Sequence, residues 1–87
     1  MSRAELLSAL DWLKKGDFRP GPEMEEAHAI CQRHEGTPPY DWIHALVHRI
    51  EGDEANAAYW YRRAGQARHA GAIEDEWQIV RTAIEKD

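Results

Sequence analysis

The sequence predicts one all-α domain over residues 1–87, with five helices arranged as two antiparallel helical hairpins and a C-terminal closing helix. Glycines and prolines divide the chain into segments of roughly 11–15 residues. None of these segments shows the period-two alternation of a strand, whereas their apolar residues recur at the three- and four-residue spacing of a helix. A chain of 87 residues buries about 60–65% of the surface that its unfolded form exposes, so it holds one modest core.

The first two helices are predicted from an apolar stripe and from the residues at helix ends. The first covers about residues 3–15, where leucines form a single stripe. The second covers about residues 22–35, because Pro22 suits a first helical turn and Gly36 suits the left-handed residue after a last turn. Glycine and proline between the two segments prevent one continuous helix.

The third and fourth helices are predicted over about residues 40–51 and 54–69. Gly52 and Asp53 leave almost no loop between two amphipathic segments, so these helices should pack as an antiparallel hairpin. The chain is too short for a repeat array, which needs about three or more repeats. The fourth helix nevertheless has the small–aromatic–small spacing that is typical of the second half of a tetratricopeptide repeat, in Ala57, Tyr61 and Ala64.

The fifth helix, predicted over about residues 72–86, carries one narrow apolar seam. Docking of this seam onto the domain's own hairpins is the favoured interpretation. A lone seam on a terminal helix is also typical of a contact between two copies of a chain or with a protein partner. The candidate interface residues are Ile73, Trp77, Val80 and Ile84.

Composition and charge exclude several classes of function. The formal net charge of −5 makes the protein a poor ligand for nucleic acid or for an anionic membrane, since phosphate attracts Lys and Arg. No apolar run approaches the roughly 18–20 residues of a transmembrane helix. Cys31 is the single cysteine, so no internal disulfide forms and the cytoplasm is the expected compartment. Hydroxyl nucleophiles are few and no glycine-rich phosphate loop is present, so we predict no catalytic residue.

The strongest candidate for chemistry is the pair His44-x-x-x-His48 on the third helix. Histidines at i and i+4 share one helix face, which allows two imidazoles to bind one cation. Asp41 and Glu51 extend this stripe, and Glu51 is the candidate third metal ligand. The favoured interpretation of the stripe is the solvated polar face of an amphipathic helix, with metal binding as the alternative. Ala45 excludes the metalloprotease pattern, which requires a glutamate directly after the first histidine.

A second candidate is His28-x-x-Cys31-x-x-His34 on the second helix. A thiolate beside an imidazole binds zinc or acts as a nucleophile. The alternative is a buried thiol beside a histidine that the helix dipole favours. A site that joins His28 to His44 or His48 requires the second and third helices to be neighbours.

Arginines form a local basic patch on this acidic protein. Arg49 lies on the apolar side of the third helix and needs a carboxylate, because an unpaired buried charge is costly. Asp53, Glu51 or an acid on the second helix is the expected partner. The alternative is a site for a small anionic ligand, a carboxylate or a phosphate, formed by Arg49, His48, Asn56 and Arg63.

The stretch around the two histidines resembles a group of small uncharacterised bacterial helical proteins with a pattern close to W-H-x-x-x-H-R-x-E-x-D-x-x-N-A-x-Y-W. The matching run reads Trp42-Ile43-His44-Ala45-Leu46-Val47-His48-Arg49-Ile50-Glu51-Gly52-Asp53, followed by Asn56-Ala57 and Tyr59-Trp60. This chain departs from the pattern where Ile43 separates Trp42 from His44. Upstream, His28 to Gln32 resembles the H-x-I-x-Q element of the group.

The resemblance implies that polar residues of the second and third helices form one pocket, with Trp60 as a wall. Matched position by position, the residues are His28, Gln32, Trp42, His44, His48, Arg49, Asn56, Tyr59 and Trp60. The resemblance does not identify a cofactor. The favoured hypothesis is a non-enzymatic module for protein–protein contact or self-association. The alternative is a protein, conceivably an enzyme, that binds a metal or a small polar ligand through this cluster.

Overall fold

The computed structural model describes residues 3–86. Over these residues the chain forms five α-helices and no strand, which confirms the predicted all-α class. The helices are α1 Arg3–Lys15, α2 Pro22–Gln32, α3 Pro38–Glu51, α4 Glu54–Ala64 and α5 Ile73–Lys86. None of these helices has both the length and the apolar character that crossing a membrane requires.

The connection between α2 and α3 differs from the prediction. α2 ends at Gln32 instead of near residue 35, and α3 begins at Pro38 instead of near residue 40. Residues 33–36 form a turn in which Gly36 adopts a φ of 94°. The Gly36 N–H donates to the Oδ1 of Asp41 at 3.1 Å, so the turn is tied to the start of α3.

The predicted end of α4 near residue 69 is wrong, because α4 ends at Ala64. Gly65 takes the left-handed conformation, with φ 71°, and its N–H donates to the carbonyl of Arg62 at 3.1 Å. This arrangement satisfies the last carbonyls of the helix and stops it. Ala67 lies exposed in the loop that leads to α5.

α3 is the central helix of the fold and packs against α1, α2, α4 and α5. Most of its apolar residues are buried, as its amphipathic pattern predicts, and Trp42 and Ile50 are partly buried. Three polar residues are buried as well, with exposed fractions of 1% for Asp41, 2% for His44 and 8% for His48. These three members of the polar stripe on α3 are therefore enclosed, whereas Glu51 at its end is exposed.

α3 and α4 form the predicted antiparallel hairpin. Gly52 adopts a φ of 83° and ends α3, and Asp53 caps α4 by accepting the N–H of Asn56 at 3.2 Å. Near the other end of the hairpin, Arg63 of α4 lies 3.9 Å from Asp41 of α3, which fixes the antiparallel direction. α1 and α2 also pack against each other. The tetratricopeptide-like character of these hairpins stays a prediction.

α5 closes the domain through its apolar seam. Trp77, Val80 and Ile84 are buried in the core, and Ile73 packs partly buried against it. The Nε1 of Trp77 donates to the backbone carbonyl of Leu10 at 2.8 Å, which ties α5 to α1. The seam that was a candidate interface thus belongs to the domain's own core, as the favoured interpretation of its docking onto the hairpins predicts.

A buried ion pair joins α5 to the C-terminal half of α3. The Nη1 of Arg49 lies 2.5 Å from the Oε1 of Glu76, and the hydroxyl of Tyr61 donates to the same oxygen at 2.7 Å. The predicted partners of Arg49, which were Asp53, Glu51 or an acid on α2, are wrong. The docking of α5 on α3 brings Glu76 from its first turn to the guanidinium, and the network links α3, α4 and α5.

We expect Glu76→Ala to lower the free energy of unfolding by about 3–5 kcal/mol, because it leaves the buried charge of Arg49 without its partner. Urea unfolding followed by circular dichroism measures this change. Glu74→Ala removes an exposed acid from the same helical turn and is the matched control, with an expected change within about 0.5 kcal/mol. Equal, small effects of the two substitutions would contradict the structural role of the pair.

Candidate metal centre

Three histidines from two helices converge where α2 packs on α3. The Nε2 of His28 lies 3.0 Å from the Nε2 of His44. One ring nitrogen from each of His28, His44 and His48 lies within 4.8 Å of the other two, and within residues 3–86 this is the one such group of three or more metal-binding side chains. Nitrogens on one ion, bound at about 2.0–2.1 Å, lie at most about 4 Å apart. Small side-chain rotations therefore bring all three to one ion.

The helical register accounts for this convergence. His44 and His48 are one turn apart on α3, and their rings stack with centroids 5.0 Å apart. His28 on α2 meets both rings edge-on, at centroid distances of 4.8 Å and 5.3 Å. The side chain of His28 is 17% exposed, so the cluster is closest to water on the α2 side.

Two glutamates lie behind the cluster. The Nδ1 of His48 is 2.8 Å from the Oε1 of Glu51, and the Nδ1 of His28 is 3.7 Å from the Oε1 of Glu25. An ionised carboxylate only accepts hydrogen bonds, so Glu51 holds the proton of His48 on Nδ1 and leaves Nε2 with its lone pair. Such carboxylate partners orient a metal-binding imidazole and raise its basicity.

Glu51 was a candidate for the third metal ligand. In the structure it contacts the Nδ1 of His48, and His28 supplies the third nitrogen of the group. The position of Glu51 is that of a residue that supports a ligand. Its side chain is one third exposed, whereas His48 is nearly buried.

Trp60 forms a wall of the cluster, as the resemblance implies. Its ring stacks on His44 with centroids 3.9 Å apart and an interplanar angle of 14°. On α4 the guanidinium of Arg63 lies 5.4 Å from the centroid of the Trp60 ring. This stack fixes the plane of the His44 ring and leaves the ring edge as its free direction.

Burial lowers the pKa of His44 to about 3, and the positive charge that His28 and His48 can carry lowers it too. His44 is consequently neutral at neutral pH. Metal ions bind the neutral form of imidazole, so no proton has to leave His44 before binding.

Three other residues predicted for the site lie elsewhere. Gln32 is exposed on α2, and Asn56 is exposed at the start of α4. Arg49 is engaged by Glu76. The groups predicted to bind a small anion are thus held by different partners, since Asn56 contacts Asp53 and Arg49 contacts an acid on another helix.

The His28-Cys31-His34 pattern does not form a joint site. Cys31 is fully buried, and burial raises the pKa of its thiol, so the reactive thiolate is disfavoured. His34 stacks on Tyr40 at 4.0 Å, and its Nε2 lies 3.1 Å from the Oε2 of Glu5. Of this trio only His28 belongs to the group of three histidines.

Two acids of this region were not among the predicted site residues, although the sequence shows their spacing from the histidines. Glu25 precedes His28 by three residues, and Asp41 precedes His44 by three residues. Residues three apart are neighbours on a helix surface. The acid-x-x-His spacing is therefore the sequence signal for an acid on the same helix face as His28 and as His44.

Comparison of the chain with models of protein families, with curated proteins and with solved structures finds no match.

The lowered pKa of His44 predicts that the protein loses stability in acid. Between about pH 6.5 and about pH 3 the unfolded chain binds a proton at His44 that the folded chain does not bind, so the free energy of unfolding falls as the pH falls through this interval. Urea unfolding across this range measures the slope. His44→Asn should flatten it, and His69→Asn, outside the cluster, should leave it unchanged. A wild-type slope in His44→Asn would contradict the assignment.

Proposed function

We propose that this protein binds one divalent transition-metal ion through the Nε2 atoms of His28, His44 and His48. The observation that carries the proposal is the convergence of three imidazoles from two helices, with two Nε2 atoms 3.0 Å apart. The hydrogen bond between the two Nε2 atoms uses the lone pair of one ring only. One cation would accept the lone pairs of all three rings.

The donor set favours a particular class of metal. Three neutral nitrogens suit zinc, copper(II), nickel and iron, which bind imidazole well. Calcium and magnesium require oxygen ligands, and the cluster offers none in its ring of nitrogens. We use zinc as the probe, since it has a single oxidation state and no geometric preference of its own.

Two carboxylates near the cluster match the charge of such an ion. Glu25 and Glu51 face the Nδ1 atoms of His28 and His48 at 3.7 Å and 2.8 Å. These two exposed carboxylates, each one imidazole away from a divalent cation, would offset its charge. This compensation matters because an uncompensated charge is costly in the interior of a protein.

The chain supplies three ligands, whereas zinc in proteins takes four. One position therefore remains for water or another small ligand. Within the chain, the ion would link α2 to α3, and Trp60 would shield the face of His44 on which its ring stacks. The site thereby retains an ion while it keeps one exchangeable position.

The burial of the α5 seam counts against an interaction module. Self-association or binding of a protein partner was predicted to use this seam, whose Trp77, Val80 and Ile84 face the domain's own core. The alternative of a small anionic ligand loses Arg49, which pairs with Glu76. Metal binding requires no change in the packing of the α5 seam or in the pair of Arg49 with Glu76.

We expect wild-type protein purified without chelator, then stripped and titrated with Zn²⁺ in a calorimeter, to bind one equivalent of zinc. His28→Gln should weaken binding by more than the about 10–100-fold that loss of an outer carboxylate partner costs. His28 is the most exposed of the three ligands, so its substitution disturbs the core least. Circular dichroism and thermal unfolding check that the variant folds.

The matched control is His69→Gln, which removes a histidine outside the group of three. Its zinc affinity should equal that of the wild type. Absence of zinc uptake by the wild-type protein, or equal affinities of the His28 and His69 variants, would overturn the proposed function.

A further inference from the structure

We propose, building on the metal-binding function above, that Asp41 is the positioning residue that holds the ring of His44 when the metal ion is bound. Two of the buried polar atoms within residues 3–86 that lack a hydrogen-bond partner are the Oδ2 of Asp41 and the Nδ1 of His44. Both residues lie on α3, with exposed fractions of 1% and 2%. A carboxylate oxygen and a ring nitrogen on adjacent turns of one enclosed helix thus lack hydrogen-bond partners.

The helical register puts these two residues on the same face of α3, one turn apart. Side chains on a helix lean toward its N-terminus, so the ring of His44 lies over the turn that contains Asp41. The same spacing on α2 places Glu25 3.7 Å from the Nδ1 of His28. Each of the three histidines has an acid three residues away on its own helix, and Asp41 is the acid with a buried carboxylate oxygen that lacks a hydrogen-bond partner.

Metal binding changes what the Nδ1 of His44 requires. The 3.0 Å contact between the Nε2 atoms of His28 and His44 needs one ring to donate and the other to accept. When a metal ion takes the Nε2 lone pair of His44, the neutral ring must carry its single proton on Nδ1. Where His44 donates in the contact, its proton moves from Nε2 to Nδ1, and where His44 accepts, Nδ1 already carries the proton, so the charge of the ring does not change in either case. The Nδ1–H donor is buried, and the Oδ2 of Asp41 is an acceptor within the same stripe.

Asp41 also has a structural role, which the test must separate from positioning. Its Oδ1 accepts the N–H of Gly36 at 3.1 Å, and its Oδ2 lies 3.9 Å from the Nε of Arg63. The distance to Arg63 exceeds that of a hydrogen bond. The oxygen that faces Arg63 therefore keeps its capacity to accept the proton on His44.

The experiment compares two substitutions in zinc-binding protein. Asp41→Asn keeps an oxygen for the Gly36 N–H and removes the charged acceptor, whereas Arg63→Gln removes the neighbouring cation and keeps the carboxylate. Competition with a chromogenic chelator measures zinc affinity. We expect Asp41→Asn to weaken binding by about 10–100-fold and Arg63→Gln to bind as the wild type does. Equal losses in the two variants would mean that Asp41 acts through the fold, and would overturn the proposal.

A second readout begins with the wild-type protein. Nitrogen-edited NMR of the zinc-bound wild-type protein should show His44 with its proton on Nδ1, exchanging slowly with water, and Asp41→Asn should speed that exchange. A zinc-bound wild type without a protected Nδ1 proton overturns this proposal and leaves the metal site standing. A wild type that takes up no zinc removes both proposals, so the two failures are distinguishable.

Discussion

The enclosure of α3 is the constraint on which the other features depend. α3 packs against α1, α2, α4 and α5, so Asp41, His44 and His48 on the polar side of this amphipathic helix are cut off from water. Burial of a polar group is costly unless it finds a partner. Each polar residue of α3 must therefore be satisfied by another helix, by its own helix or by a ligand. The turn before α3, the ion pair to α5 and the histidine cluster each supply partners for buried polar groups of α3.

The polar residues of α3 differ in how completely other groups satisfy their charges and hydrogen-bonding atoms. Arg49 pairs with the carboxylate of Glu76, and His48 pairs with Glu51. His44 is satisfied less completely, because its Nδ1 has no hydrogen bond and its Nε2 faces another imidazole at 3.0 Å. A buried, neutral imidazole beside two others suits the proposed metal site, and so the packing of α3 supports the proposed function.

The sequence was sufficient for the fold class, the hairpin turn at Gly52 and the burial of the α5 seam, because these depend on local spacing and on chain breaks. It was insufficient where the outcome depends on which helices become neighbours. The partner of Arg49 comes from α5, far along the chain, and no local pattern identifies Glu76. The same limit applied to His28 and His44, whose convergence depended on the packing of α2 against α3. The end of α4 was predicted too late, although Gly65 was the available stop signal.

The central claim, that three imidazoles share one ion, is tested most directly by the coordination of that ion. X-ray absorption spectroscopy at the zinc edge of the stoichiometric complex counts imidazole ligands through the multiple scattering of their rings. The account predicts three imidazole nitrogens, with the remaining position taken by a light atom from water or a small ligand. One imidazole, or a set dominated by carboxylate oxygens, would contradict it and would place the metal elsewhere on the acidic surface.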